Sequence, residues 1–416
     1  MFTVSDAVAR IVADIQPLSV ERVALLDSLG RVLATPVVSP LTLPAWDNSA
    51  MDGYALRASD VEGASAAKPV ALTVLETVAA GAFPTRVVDA GSCTRIMTGA
   101  PLPEGVDTVI RLEDTDGGIE RVSIRNDRDA GRNVRHRGED ITTGTRVLER
   151  GQPIGAAQIG VLASVGASSV DVHRQPRVAF FGSGDEIVDL DRFTEALDGK
   201  KIVTSNSYTL HSLIRLNGGI PLNLGVARDD PADIRARIDR AAGCDLLVTS
   251  AGISAGEFDY LRPVLAEAGV TLDVWKVRMR PGAPLGFGWL GTMPWIGLPG
   301  NPVSTMVTFE LFVRPVLRRM LGHTRLFRRP VPVTLEEPVK IGAALTHFLR
   351  AIVSVKPDGT LSARLTGAQG SGILTSMSLA NALLVIPQER PRVEAGEIVN
   401  AILLADDAQL ATHFSL

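Results

Sequence analysis

The sequence predicts an α/β multidomain protein built around a doubly wound, mostly parallel sheet domain. A β-rich inserted domain, a helical and linker N-terminal domain and a C-terminal β-barrel or sandwich complete the expectation. Three observations lead there. From residue 177 to 321 strand-like and helix-like segments alternate, the pattern of βαβ units. Residues 68–125 and the chain past Arg329 instead carry short apolar/polar alternations between Gly, Pro and Asp clusters, as small sheets and barrels do. Finally, 416 residues exceed what one hydrophobic core organises. The expected boundaries are 1–40 with 141–175 for the helical and linker domain and 41–140 for the insert. The α/β domain is expected over 176–325 and the barrel over 326–416.

Taken in order, Ser5 stands where a helix N-cap belongs, with Val8, Ile11, Val12 and Ile15 on one face and Pro17 as the stop. A second helix is expected over 20–33, ending before Pro36. Residues 40–54 are rich in turn formers and lack periodicity, so an extended linker follows. Val70, Leu72 and Val74, then Thr108, Ile110 and Leu112, alternate as in antiparallel strands. Helical pattern returns over 155–165 and makes the β-rich block an insertion. Beyond it lie a strand over 178–181, a helix over 207–216 closed by Asn217-Gly218-Gly219, and a strand over 220–226. Asp230 caps the next helix with Pro231 at its first position. Strands over 244–248, 270–277 and 295–298 lead to a helix over 302–321. The barrel strands are 331–335, 348–355, 361–365, 382–386 and 398–404.

Bulk properties narrow the function classes. A formal charge of −4 lacks the basic footprint of nonspecific nucleic-acid binding, so no nucleic-acid partner is expected. Two far-separated cysteines, Cys93 and Cys244, fit a reducing compartment without a disulfide framework. No basic–apolar–small signal opens the chain and no apolar run reaches membrane-spanning length. A cytoplasmic protein without a membrane partner is expected. The six histidines lack metal-ligand spacing, and neither a Gly-x-Ser-x-Gly elbow nor a Walker lysine loop is present.

In open α/β sheets ligands bind beyond the carboxyl ends of the strands, and three loops sit at such ends. The most telling is within LLVTSAGISAGEFDY (246–260). Its small residues, Ser250, Gly252, Ser254 and Gly256 among them, leave backbone N–H groups accessible to an anion. Glu257 and Asp259 follow at once, where Mg²⁺ could be held against phosphates. An ordinary turn needs one or two glycines, not this series with two carboxylates behind it. In LPGNPVS (298–304), Asn301 suits an N-cap and Pro302 the first helical position, aiming free N–H groups outward. Any ordinary helix start looks the same. Gly182-Ser183-Gly184-Asp185-Glu186 lacks the third glycine of a dinucleotide loop, and turn chemistry explains it equally well. Asp185 and Glu186 nevertheless stand where a metal or ribose contact would be useful. In the linker, interdomain packing accounts for Trp46 and Tyr54 but leaves Asp47 and Asp52 unexplained. Thr98 sits in a further glycine turn, and 131–140 mixes arginines with acids, usually a surface salt-bridging run.

In their order along the chain these segments resemble one family. LPAWDNSAMDGYALR (43–57), RIMTGAPLPEG (95–105), GRNVRHRGEDI (131–141), SGDEI (183–187), TSAGISAGEFDY (249–260), WKVRMRPGAP (275–284) and LPGNPVS (298–304) are similar to the molybdopterin molybdenumtransferases, the MoeA and gephyrin E-domain type. DNSAMDGYA is the most specific. The resemblance implies an α/β domain of the molybdopterin-binding type and an L-shaped homodimer of four-domain chains. In such a dimer linker and insert segments of one chain complete the site of the other. It implies molybdate insertion into adenylylated molybdopterin (molybdopterin-AMP), with Mg²⁺ and release of AMP. The molybdopterin adenylyltransferase and molybdoenzyme-loading proteins are its implied partners. Carried over by motif, the catalytic positions are Asp52, Thr98, Asp140, Glu186, Asp229, Asp259 and Lys276. Glu186, Asp229 and Asp259 form the implied metal group. Oxyanion contacts fall on Arg280, Pro284, Ser304, Arg350 and Ser371, and the PGNP loop adds Pro299, Gly300 and Asn301.

The chain also departs from that pattern. Ala283 replaces the family's PGKP lysine, and Arg280 replaces the preceding lysine, a planar fork for a compact ammonium. Thr204 and His347 stand where the family has acids. SGGVSVGE has become SAGISAGE, and STGDE has become GSGDE. These changes keep a second reading open, a homodimer that carries molybdopterin without chemistry. A third, a nucleotide pyrophosphatase or deamidase on the same α/β module, leaves the Asp52 and Thr98 motifs without a role.

Overall fold

The computed structural model describes residues 1–252 and 260–405. The chain divides into two compact units, one of 1–34, 151–155 and 169–416 and the other of 35–150 and 156–168.

The larger unit is organised by a six-stranded sheet. Its strands are β1 (Arg177–Ser183), β2 (Ile220–Ala227), β3 (Leu246–Ser250), β4 (Val270–Trp275), β5 (Gly286–Leu290) and β6 (Met293–Leu298), in the spatial order β2-β1-β3-β6-β5-β4. Pairings among β2, β1, β3 and β6 are parallel, while β5 is antiparallel to both β6 and β4. The two-residue strand period splits the apolar side chains between the faces. Val178, Phe180, Leu246, Val248 and Ile296 share one core with Leu210 and Ile214 of helix α1 (Ser205–Leu216). Ala179, Phe181, Leu247 and Trp295 share another with Ile234 and Ile238 of α2 (Pro231–Arg240) and with Leu261, Val264 and Leu265 of α3 (Leu261–Glu267). The sheet is thus covered on both faces, as expected for a doubly wound domain. As anticipated, Asp230 caps α2, its side chain accepting from Asp233 N at 3.1 Å. After β6, α4 (Pro302–Thr308) continues through a π-turn at Phe309–Val313 into a helix over Arg314–Met320.

The C-terminal strands close a barrel. Val331–Leu335, Ile398–Leu403, Ala382–Ile386, Thr346–Val355 and Leu361–Leu365 pair in a ring, and the last pairs back to the first. Leu335, Leu349, Val353, Leu384, Ile386 and Val399 fill it.

In the smaller unit a five-stranded sheet runs Thr108–Arg111, Gly53–Leu56, Ser92–Ile96, Val70–Val78, Arg121–Ile124. Antiparallel pairing holds except between Val70–Val78 and Ser92–Ile96, which are parallel. Tyr54 is buried in its core and donates its hydroxyl to Gly118 O at 2.8 Å. Trp46 stays half in solvent, edge-on to Phe83 with ring centroids 4.9 Å apart. Gly53 is obligatory, since a Cβ there would lie 2.0 Å from Ile110 O.

Near the N-terminus two expectations are corrected. The first helix is Val4–Ala13 and its cap is Thr3, not Ser5, with Thr3 Oγ1 accepting from Asp6 N at 3.1 Å. Residues 20–33 do not form a helix. Val20–Ala24 is a strand antiparallel to Ser169–His173, followed by a short 3₁₀ turn at Leu26–Ser28. The β-branched Val20 and Val23 suit that pairing.

Candidate active site

Strand register assembles the site. Gly182 pairs with Ser250, and Ser250 with Leu298, so the turns leaving β1, β3 and β6 emerge side by side. Ser183 pairs with Ala227, which brings Asp229 to the same sheet end. The chain continues from β1 to β2 on one side, while β3 lies on the other. This is the switch point where open α/β sheets bind ligands. A cleft of about 650 Å³ opens there. Of the residues singled out from sequence, Glu186, Ser250, Gly252, Pro284, Pro299, Gly300 and Asn301 line it. Asn206, Gly372 and Leu374 line it as well and were not anticipated.

The turns are tightly built. Gly252 has φ +72°, and a Cβ on it would meet Leu261 Cβ at 2.8 Å and Ser183 Oγ at 3.0 Å. Ala251 adopts φ 75° without being a glycine, and its amide donates to Leu298 O at 3.0 Å. Such a conformation in a non-glycine residue is uncommon. Ser250 is buried, and its Oγ accepts from Asn206 Nδ2 at 2.8 Å. Asn206 Nδ2 also reaches Gly300 O at 2.8 Å. Asn301 occupies the N-cap position of α4, but its side chain makes no capping hydrogen bond there. Ser304 is buried in the first turn of that helix, and its carbonyl accepts from Thr308 Oγ1 at 2.7 Å.

The carboxylates form a second feature. Asp229 Oδ2 accepts from Asp185 N at 3.3 Å, and Asp185 Oδ1 from Asp229 N at 3.2 Å. Burial, then the negative charge of Asp185 and Glu186, raises the Asp229 pKa against the opposing hydrogen bond from Asp185. The Glu186 carboxylate folds over Gly184, where a Cβ would lie 2.7 Å from Glu186 Oε2. Among the described residues no three His, Cys, Asp or Glu form a ready-made metal cluster. Asp259, with Ser254, Gly256 and Glu257, lies outside the described residues. The repulsion at Asp229 fits an oxygen-liganded divalent cation, which would relieve it.

Arg350 and Arg280, the implied oxyanion residues, do not themselves line the cleft. Arg350 is fully buried with no carboxylate partner among the described residues. Its Nε donates to Ser376 Oγ at 3.0 Å and its Nη2 to Gly370 O at 2.9 Å, while Nη1 is buried without a partner among the described residues. Burial lowers its pKa. An unpaired buried guanidinium is costly, and an oxyanion is its natural complement. The loop it holds leads to Ser371, whose carbonyl accepts from Val303 N at 3.1 Å, and on to Gly372 at the cleft. Arg280 is exposed on a two-residue strand in parallel register with His347. Lys276, at φ 63°, donates its amide to Leu285 O at 2.9 Å and does not line the cleft.

Asp52, Thr98 and Asp140 belong to the smaller unit. There Asp52 and Thr98 are brought together: one Asp52 oxygen accepts from Thr98 N at 2.7 Å and Thr98 Oγ1 at 2.8 Å. These bonds, the backbone one foremost, lower the Asp52 pKa. Asp140 stays on its own turn, exposed, with its amide donating to Leu43 O at 3.3 Å. No described helix is long and apolar enough to cross a membrane.

A switch-point cleft on a doubly wound sheet, in a chain that also carries a β-rich insert and a closed barrel, defines a multidomain α/β ligand-binding protein. Residues 2–166 match the MoeA N-terminal region (domain I and II), 179–319 the probable molybdopterin binding domain, and 332–404 the MoeA C-terminal region (domain IV). The chain is 37% identical over 392 residues to a molybdopterin molybdenumtransferase of Nostoc sp., covering 92% of this chain and 88% of that protein. Identity to the molybdopterin molybdenumtransferase of Haemophilus influenzae is 32% over 407 residues, 96% of this chain and 98% of that protein. The crystal structure of the molybdopterin biosynthesis MoeA protein of Pyrococcus horikoshii superposes with a TM-score of 0.83 at 28% identity, covering 97% of this chain and all of that one. The chain belongs to the molybdopterin molybdenumtransferase family.

Proposed function

We propose that this chain acts in molybdenum cofactor biosynthesis, moving molybdenum from molybdate into adenylylated molybdopterin with hydrolysis of the adenylyl bond and release of AMP. The observation that carries the reading is the strand register that draws the turns after β1, β3 and β6 into one cleft. Ser250, Gly252 and the Pro299–Asn301 turn offer small side chains and backbone groups to a phosphorylated pterin. The Arg350 guanidinium and the exposed Arg280 suit molybdate, a dianion that needs cationic donors in a fixed arrangement.

Glu186 and Asp229 would hold Mg²⁺. Bound there, Mg²⁺ would neutralise charge on the adenylyl phosphate as the anhydride is cleaved. Asp52, kept ionised by Thr98, offers a fixed acceptor. Asp52, Thr98 and Asp140 belong to the smaller unit, and the resemblance to the family implies a homodimer in which a second copy supplies them. The decisive measurement combines purified chain, adenylylated molybdopterin, Mg²⁺ and molybdate. AMP and active cofactor are expected, and no AMP under any metal condition would reject the enzymatic reading.

A further inference from the structure

Asn206 lies in the first turn of α1, outside every motif quoted above. Thr204 caps that helix, accepting from Ser207 N at 3.3 Å, and Leu210 and Ile214 anchor it in the core. The side-chain amide of Asn206 carries two N–H donors. One goes to Ser250 Oγ and the other to Gly300 O, each at 2.8 Å. Its orientation follows from chemistry. A backbone carbonyl only accepts, so the amide nitrogen and not its oxygen must face Gly300. Asn206 Oδ1 is thereby turned away and buried without a partner among the described residues. Buried acceptors are rarely left unpaired, and exceptions concentrate where geometry serves function.

The two turns that this amide joins leave adjacent strands and both line the cleft. Apart from Asn206 they are tied by the Ala251 N to Leu298 O bond at 3.0 Å and a long Ser250 Oγ to Pro299 O contact at 3.4 Å. We propose that Asn206 is a positioning residue that sets the spacing between these turns, and through it the affinity for the pterin-bearing substrate. The inference rests on the function proposed above. It predicts a separation between the two substrates, because the oxyanion groups Arg280 and Arg350 stand on other elements and make no bond to Asn206.

The test measures equilibrium binding of molybdopterin, and separately of molybdate, to the full chain and to Asn206→Ala and Asn206→Asp. Molybdopterin binding should weaken about tenfold in Asn206→Ala. The loss should be larger in Asn206→Asp, whose carboxylate keeps the shape but sets an acceptor against Gly300 O. Molybdate binding, and the melting temperature of Asn206→Ala, should stay close to wild type. Equal molybdopterin binding overturns the inference, as does a parallel loss of both ligands and of thermal stability. If Asn206→Asp does not fold, Asn206→Ala decides alone by the same criteria. A wild-type chain that binds molybdopterin yet releases no AMP overturns the enzymatic reading only. One that binds none overturns both.

Discussion

Thr98 gives a single oxygen of Asp52 two hydrogen bonds, from its amide at 2.7 Å and its hydroxyl at 2.8 Å, across 46 residues of chain. Both bonds favour the charged carboxylate, so the Asp52 pKa lies below its ordinary value. With a depressed folded-state pKa, the ionised acceptor and its contribution to stability are present above the unfolded value. They are lost as pH falls through the folded one. Thr98→Ala removes the hydroxyl but not the amide, so it should undo part of the shift. The acid limb of the AMP-release profile should move to higher pH in Thr98→Ala, while the alkaline limb stays put. An unmoved acid limb would remove Asp52 from the reaction.

Strain at Ala251 yields a stability test. Its φ of 75° is a left-handed conformation, costing a non-glycine residue about 1–2 kcal/mol. Glycine relieves this but adds unfolded-chain entropy worth about 0.4–1 kcal/mol. Ala251→Gly should therefore gain between nothing and about 1.6 kcal/mol, read as an unchanged or slightly raised melting temperature. A fall would mean that the Ala251 methyl, 3.1 Å from a Cβ built on Gly300, packs well enough to outweigh the backbone cost.

The alternating β and α elements were legible because each carries its own period and its own caps: Asp230 with Pro231 before α2 is one case. Val20–Ala24 was misread because its partner, Ser169–His173, is remote in sequence, and two valines three apart suit a helix face equally. Gly286–Leu290 escaped notice because glycines weaken a strand pattern. Here they are required: a Cβ on Gly288 would lie 2.4 Å from Thr271 O. Of the cleft lining, the glycine-bearing turns at 182–186, 250–252 and 299–301 were legible. Asn206 was not, since an amide in a helix first turn looks like ordinary N-terminal chemistry and its two acceptors lie on other loops. Gly372 and Leu374 reach the cleft from the barrel side, which local pattern cannot anticipate.

Ala283 offers a gain-of-function test. Its carbonyl accepts from Val277 N at 3.0 Å, a backbone bond that any side chain preserves, and its neighbour Pro284 lines the cleft. Ala283→Lys restores a cation beside the Arg280 segment. The KM for molybdate should fall several-fold with AMP release retained or raised. A chain that only carries molybdopterin should gain no turnover from the change.

Asp229 supplies a test of the metal. Burial first, then the charges of Asp185 and Glu186, raise its pKa in the fold. For an acid the sign is opposite to that of Asp52. Ionisation is harder in the folded state, so stability is highest below the unfolded pKa and falls as pH rises toward the folded one. At neutral pH the group is a standing penalty that a divalent cation would relieve. Asp229→Asn removes the penalty and the ligand together. Without metal the variant should melt higher than wild type. Added Mg²⁺ should raise the melting temperature of wild type, since a ligand of the native state stabilises it by mass action, but leave the variant unchanged. AMP release should fall in the same variant despite its greater stability. Equal stabilisation of both proteins by Mg²⁺ would place the metal elsewhere and leave Asp229 a strained carboxylate without that task.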